Sequence, residues 1–349
     1  MKAAVLTPKV AAAFDNHHTV VRIENAALGI VGFIAIHRER NGLPSLGATR
    51  LWAYASEDEA LRDALRLSRM MSYKLAFAGY PYGGAKAVLI INGKKPVDRA
   101  ALFEWYAGQV NTFEGRFITG SDVGVDDHDL EMLHRHTSFV IGEHVPAGYY
   151  TALSVLNTIQ AAMKFAHGTD EVHGKRFAVQ GLGKTGFELL KLLHEKRAAV
   201  AVADINEETI ARVRDQFPDV VIADPDRIFT MPVDVLSPCA LGGVIDESLF
   251  ESLRCKLLIG SANYPLAKRE IASALHERGI VYGVDYIANS GGVTSVIDQY
   301  KHGTHDDARI LSKLCDMQER FTSVLEESRR DNISPQIIAD RIAEANMES

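Results

Sequence analysis

Arg176-Phe177-Ala178-Val179-Gln180-Gly181-Leu182-Gly183-Lys184-Thr185-Gly186-Phe187 decides the fold of this 349-residue chain. The first five residues read as a buried strand, and the apolar run that starts at Phe187 reads as a helix. Between them stands GxGxxG. The bare pattern is weak. A strand before it, a helix after it and Asp204 at the end of the next strand turn it into a dinucleotide-binding fingerprint. Gly181 permits the tight turn, Gly183 lets the backbone approach a pyrophosphate, and Gly186 lets helix pack closely on strand. The helix N-terminus offers unpaired N–H groups and positive dipole to phosphates. Asp204 would accept hydrogen bonds from the adenosine ribose, and its charge would repel a 2′-phosphate, so NAD is favoured over NADP. Lys184 faces either phosphate or solvent. The bland alternative, glycines shaping a connecting turn beside a surface acid, leaves the flanking strand, helix and acid unexplained.

Outward from this turn, strand candidates at 199–203, 220–222, 234–236, 256–259 and 279–282 alternate with helical segments. Such alternation implies a parallel, doubly wound sheet. A helix over 152–165 precedes it. The first half is mixed α and β. Residues 30–36 read as a strand. Residues 56–73 read as a helix, with capping-box spacing at Ser56 and Glu59 and one face made by Ala60, Ala64, Leu67 and Met71. Residues 87–91, between Gly84 and Asn92-Gly93, read as a strand. The chain is long enough for two domains. The expected division is an α/β domain over 1–145 and a Rossmann-type domain over 146–324, with the C-terminal helices of 325–349 packing back on the first.

Apolar residues make up 47% and charged residues 24%, a globular profile and not a disordered one. The formal net charge of −7, with both signs interspersed, argues against a nucleic-acid partner. Cys239, Cys255 and Cys315 are too few and too scattered for a disulfide framework or a zinc site, which fits a reducing cytoplasm. Pro8 and Lys9 interrupt the N-terminal stretch, a poor signal-peptide core. No apolar run approaches the ~20 residues that span a bilayer. The Asp126-Asp127-His128-Asp129 cluster reads as a solvated helix start and not as a metal site, since adjacent helical residues point different ways.

Three titratable residues stand in odd places. Lys74 continues the apolar stripe of the 56–73 helix, and Lys86 opens an apolar strand after Gly83-Gly84-Ala85. Buried lysines are rare without a partner. One in an apolar site can serve as a base near neutral pH, and the other can hold a carboxylate. Alternatively, both snorkel to solvent. Asp122 ends a β-like run, a position that suits either a catalytic acid or a turn residue.

Taken in order, several motifs resemble the glutamate/leucine/phenylalanine/valine dehydrogenase family, and most closely its leucine dehydrogenase branch. They are Leu46-Gly47-Ala48-Thr49-Arg50, Met71-Ser72-Tyr73-Lys74, Gly83-Gly84-Ala85-Lys86, Asp122-Val123-Gly124, the fingerprint, Val202 to Asn206, Ser237 to Gly242, Gly260-Ser261-Ala262-Asn263 and Asp285 to Gly292. The resemblance implies an interdomain cleft, a homo-oligomer, and NAD-dependent, reversible oxidative deamination of an L-amino acid to its 2-oxo acid and ammonia. It implies that Lys86 activates water and that Asp122 exchanges a proton with the amino group. Lys74, the backbone at Gly47, and Asn289 would bind the substrate carboxylate. Thr151 would hold the carboxamide of NAD. Further cofactor contacts are implied at Gly181, Gly183, Lys184, Thr185, Gly186, Asp204, Ile205, Cys239, Ala240, Asn263 and Asn289.

Leu46 and Val296 stand where glutamate-specific relatives carry polar residues, so the pocket is expected to be apolar, with Val293 as a further wall. A dicarboxylate would bury an unpaired charge there. Gly120 replaces a pocket alanine and should enlarge the site. Tyr149 and Tyr150 lie in a shortened segment and would narrow the pocket or stack on an aromatic substrate. Gly120 and Ala288 motivate a second reading, an aromatic-specific dehydrogenase. Ala85 and the Tyr149-Tyr150 segment motivate a third, a catalytically weak NAD-binding relative.

Overall fold

The computed structural model describes residues 7–40, 42–91, 98–240 and 242–348. Asn92-Gly93, Leu241 and the first six residues of the N-terminal stretch lie outside them. The chain divides into two compact units, Met1–Val145 with Ala343–Ser349, and Pro146–Ile342. Both are α/β.

The first unit runs α1 (Pro8–Ala11), β1 (Thr19–Asn25), β2 (Ile30–Ile36), β3 (Ser45–Leu46), β4 (Thr49–Trp52), α2 (Glu57–Phe77), β5 (Gly83–Ile90), α3 (Arg99–Asn111), β6 (Phe117–Ile118) and α4 (Asp127–His134). Its sheet has the order β1-β2-β5-β3-β6, with β4 also on β5. The two-residue alternation of β5 divides its side chains between two cores. Ala85, Ala87 and Leu89 pack with Leu102, Phe103 and Leu130 on the α3 and α4 side. Val88 packs with Ala60, Ala64 and Leu65 on the α2 side. Helix α2 begins as its sequence predicts, with Ser56 accepting from the Glu59 N–H at 3.2 Å. The Glu59 carboxylate reaches Ala55 N instead of completing the box on Ser56. The helix then continues to Phe77, because its apolar face extends through Leu75 and Ala76 under β5.

Strand β5 starts at Gly83, four residues before the predicted start, because glycine lets it pass against α2. A Cβ on Gly84 would lie 2.1 Å from the Ser72 nitrogen. Asp126 caps α4 in a reciprocal box with Asp129. The expected solvated helix start needs correction at Asp129, which is fully buried and takes both its charge partner and a hydrogen bond from Arg99. At the chain end, Glu344 accepts from the Tyr73 hydroxyl at 2.5 Å, and Asn346 Nδ2 donates to the Ala76 carbonyl at 3.0 Å.

The second unit runs α5 (Ala147–His167), β7 (Arg176–Gln180), α6 (Lys184–Glu195), β8 (Ala199–Ala203), α7 (Glu207–Gln216), β9 (Val221–Ile222), a 3-10 turn at Ile228–Thr230, β10 (Val235–Pro238), α8 (Glu247–Ser252), β11 (Leu257–Leu258), α9 (Ile271–Glu277), β12 (Val281–Tyr282), α10 (Asp285–Ala288), α11 (Gly291–His302), α12 (Asp307–Asp331) and α13 (Pro335–Glu348). Every pairing in its sheet is parallel, in the order β12-β11-β10-β7-β8-β9. Chain order reverses between β7 and β10, and the crevice outside the carboxyl ends of such strands is where doubly wound sheets bind ligands. The unit extends to Ile342, not to 324, because residues beyond 324 are bound within it: Ser334 Oγ donates to the Ala272 carbonyl at 3.1 Å, and the Tyr286 hydroxyl donates to Asp340 Oδ1 at 2.9 Å. Among the described residues, no helix is long and apolar enough to cross a membrane.

Candidate active site

The edge of β5 is shared by two short strands. Strand β3 pairs with Gly83 and Gly84, and β4 pairs from Ala87 onward. Lys86 lies at the break between them. There the chain passes so close that a Cβ on Gly47 would sit 2.4 Å from the Ala85 carbonyl oxygen. Gly47 is therefore required by backbone packing. By alternation Lys86 shares the α2-facing side of β5 with Val88, and so does Arg50, the strand partner of Val88.

The segment after β6 is fastened along β4 by Thr49 N to Gly120 O at 2.8 Å and Leu51 N to Val123 O at 2.9 Å. Gly124, at φ 81°, turns it away where a side chain would strike the Leu51 carbonyl. This rail delivers Asp122 to Lys86, with Nζ to Oδ2 at 2.6 Å. Arg50 Nε donates to the same Oδ2 at 2.9 Å, and Arg50 Nη1 donates to Asp63 Oδ2 at 2.8 Å. The Tyr54 hydroxyl also donates to Asp63 Oδ2, at 2.6 Å. Sequence reasoning noticed the Gly47 to Arg50 motif but assigned Arg50 and Asp63 no role. The available signal was an arginine on the buried side of a strand, which demands a carboxylate.

Lys86 is only 5% exposed. Burial pushes its ammonium down from the ordinary lysine value more than Asp122 lifts it, and the Arg50 charge adds to the fall. Burial alone would raise the Asp122 carboxyl, but Lys86 and Arg50 together hold it well below the usual carboxylate range. A lysine that sheds its proton easily beside a carboxylate that keeps its charge is an acid/base pair.

Lys74 is buried in the last turn of α2, two residues beyond the Ser72–Gly84 crossing. Leu46 is buried on β3. One pocket expectation needs correction, that on Tyr150. A Cβ on Gly120 would lie 3.0 Å from the Ile141 carbonyl oxygen, a tight contact that glycine avoids. Tyr150 is a core residue. It packs with Ile310 and Leu314, and its hydroxyl binds Asp307, so it can neither narrow a pocket nor stack on a substrate. Its neighbour Tyr149 is exposed. Ala85 points into the α3 and α4 core, opposite to Lys86, so its methyl leaves the lysine undisturbed.

In the second unit Gly181 and Gly186 of the fingerprint answer to close backbone packing. Gly181 has φ 89° and passes against Ala240, where a Cβ would come within 2.6 Å. A Cβ on Gly186 would lie 1.9 Å from the Gly181 carbonyl oxygen, while one on Gly183 would meet open space. Helix α6 starts at Lys184 and Thr185 with no side-chain cap, so its first N–H groups point outward for an anion. Asp204 accepts from Leu182 N at 2.5 Å and Asn206 N at 2.8 Å, one bond per oxygen, which leaves lone pairs for ribose hydroxyls. Ile205 beside it is 90% exposed, an apolar side chain suited to cover by a flat base.

Cys239 N donates to the Gln180 carbonyl, so the loop after β10 lies next to the fingerprint turn; burial pushes the Cys239 thiol up. Asn289 donates to Ser261 O at 3.1 Å and to Asn263 Oδ1 at 2.8 Å. Its own Oδ1 and Gln180 Oε1 are buried acceptors without a partner among the described residues. Thr151 Oγ1 donates to the Ala147 carbonyl at 2.7 Å, so toward a ligand it can only accept, as a carboxamide N–H requires. Val293 and Val296, three apart on α11, are both half-buried. These residues fit a nicotinamide dinucleotide.

Comparison with known proteins agrees with both halves. The model of the Glu/Leu/Phe/Val dehydrogenase dimerisation domain matches residues 16–139, and that of Glutamate/Leucine/Phenylalanine/Valine dehydrogenase matches residues 205–348. The TrkA-N domain model matches 177–231, across the fingerprint. Leucine dehydrogenase of Geobacillus stearothermophilus is 37% identical over 340 residues, 96% of this chain and 91% of the relative. Phenylalanine dehydrogenase of Lysinibacillus sphaericus is 34% identical over 346 residues, 95% and 89%. The crystal structure of L-tryptophan dehydrogenase from Nostoc punctiforme superposes with a TM-score of 0.76 at 31% identity, covering 97% of each chain.

Proposed function

From the premise that this chain belongs to the Glu/Leu/Phe/Val dehydrogenase family, we propose that it is an NAD-dependent, reversible oxidative deaminase of branched-chain L-amino acids. The observation that carries the reading is the buried Lys86–Asp122 pair at 2.6 Å. Gly181, Gly183, Gly186 and the start of α6 would hold the pyrophosphate, Asp204 the ribose, Ile205 the adenine, and Thr151 the carboxamide. Lys184, Thr185, Cys239, Ala240, Asn263 and Asn289 complete this surface. When bound, the nicotinamide accepts the hydride that leaves the substrate α-carbon.

The remaining chemistry belongs to the protein. Lys74 and the backbone at Gly47 would bind the substrate carboxylate on the first unit, and Asn289 is the substrate-binding candidate of the second. Asp122, ionised, takes a proton from the substrate ammonium and frees the nitrogen lone pair. Lys86, its proton made labile by burial, accepts one from the water that attacks the imino carbon. Asp122 then returns a proton to nitrogen, and ammonia departs as the carbinolamine hydroxyl gives its proton to Lys86, which has meanwhile released the first one to solvent, and becomes the carbonyl of the 2-oxo acid. Leu46, Val293 and Val296 make an apolar surround that rejects a side-chain carboxylate. The protein works in the cytoplasm as a homo-oligomer built through its first domain.

A panel of L-amino acids with NAD or NADP, followed at the nicotinamide absorbance, tests the reading. Leucine, isoleucine and valine should turn over with NAD at least ~10-fold faster than glutamate or phenylalanine, since one or two methylenes in an apolar pocket are worth ~1–3 kcal/mol. Preference for phenylalanine or tryptophan would favour the aromatic reading. NADH binding without turnover of any substrate would favour the weak relative.

A further inference from the structure

We propose that Arg50 is a positioning residue for this reaction: by bridging Asp63 on α2 to Asp122, it fixes the Asp122 carboxylate beside Lys86. The inference rests on the deamination reading. Asp122 lies beyond a two-residue strand, on a segment with no helix of its own, so backbone alone does not fix its side chain. Strand β4 supplies what is missing twice. Its backbone carries the rail that holds residues 120–123. Its Arg50 side chain, nearly buried, reaches Asp122 with Nε and Asp63 with Nη1. Asp63 is itself held by the Tyr54 hydroxyl, so the tether ends on a fixed point of α2. Only a planar guanidinium can serve two carboxylates in this way, and lysine cannot replace it.

A structural ion pair would need no third partner. Here Arg50 and Lys86 both contact the Oδ2 oxygen and the Val123 N–H also donates to the carboxylate, so three donors orient the group that is to meet the nitrogen of a substrate. The charged groups facing Lys86 come from each element packed there: Asp122 from the segment after β6, Arg50 from β4 and Asp63 from α2. Arg50 repels the Lys86 proton and attracts the Asp122 charge. Removing Arg50 therefore raises both proton affinities, whereas a loss of mere scaffolding would lower the rate equally at every pH.

The test uses the full chain with L-leucine and NAD, with rates measured between pH 7 and 11 and melting curves as the folding control. Arg50→Gln should lose about 10²-fold in kcat/KM, as misplacement by about 1 Å does. Its KM for NAD should be unchanged, and the rise in rate with pH should move up by about one unit. Arg50→Lys keeps the charge without the bridge, so the rise should stay in place while kcat remains about 10-fold low. Asp63→Asn cuts the tether and leaves Arg50 charged; it should lower kcat and, because it removes a negative charge that faces Lys86, move the rise in rate down in pH, opposite to Arg50→Gln. That variant decides the matter if Arg50→Gln does not fold. A folded Arg50→Gln whose profile superimposes on the wild type after scaling overturns the proposal, as does Asp63→Asn at wild-type kcat. A wild type that oxidises no L-amino acid overturns the deamination reading itself, and this inference with it.

Discussion

Asp122 has two cations on one oxygen, and that arrangement ties its protonation to the stability of the fold. Its carboxyl titrates below the ordinary value in the folded chain, so the unfolded chain binds the proton more readily. The stabilisation is complete above the unfolded value of about 3.9 and is lost as pH falls through the lower folded value. Lys86 has the opposite sense. Its depressed value makes the protonated form a burden on folding that eases as pH rises past the folded value toward the unfolded one. Melting temperature should therefore fall steeply below about pH 4 in the wild type. Asp122→Asn should melt lower at neutral pH, with Lys86 stripped of its ion-pair partner and Arg50 held by Asp63 alone, yet show a flatter acid limb. An acid limb of unchanged steepness would mean that the carboxylate is not held below its usual range. The sequence marked Asp122 and Lys86 as misplaced charges but could not pair them. Nor could it single out Arg50 and Asp63, because the contact joins residues that only the rail between β4 and the segment after β6 brings together.

At the scale of elements, the close crossing of α2 and β5 is what glycine makes possible. A methyl on Gly84 would meet the Ser72 backbone at 2.1 Å, and neither partner is a flexible side-chain end that can give way. Gly84→Ala should cost roughly 1–3 kcal/mol or more in urea unfolding. It should also lower activity, since Lys74 and Lys86 each lie two residues from that crossing. A fully stable, fully active Gly84→Ala would contradict the assigned packing. Elements were legible where their physics is local. Strands β7 and β8 fall on the predicted residues because a buried parallel strand is a continuous apolar run, and the fingerprint is legible because its strand, glycines and helix follow one another within one short stretch of chain. The short strands β3 and β4, and the edge strand β1 with its exposed Glu24 and Arg22, were not legible. The two residues of β3 and the four of β4 are too few to show a period, and their pairing is set by distant β5. Tyr150 was misjudged for the same reason, since α12, which buries it, begins more than a hundred residues later.

At the scale of the whole chain, each unit carries a separate share of the work. The first holds the buried cations and carboxylates, and the second the glycine fingerprint and the surface proposed for the cofactor. The boundary near residue 145 follows from the change of pattern there. The end of the second unit was harder to see, because helices without following strands carry no sign of which core they join. If Lys86 and Asp122 are the proton-transfer pair of an NAD-dependent deaminase, ammonia-dependent oxidation of NADH with 4-methyl-2-oxopentanoate should be rapid in the wild type and fall about 10³-fold in Lys86→Ala and in Asp122→Asn, with NADH binding retained. A folded variant at either position that keeps the wild-type rate would contradict that assignment.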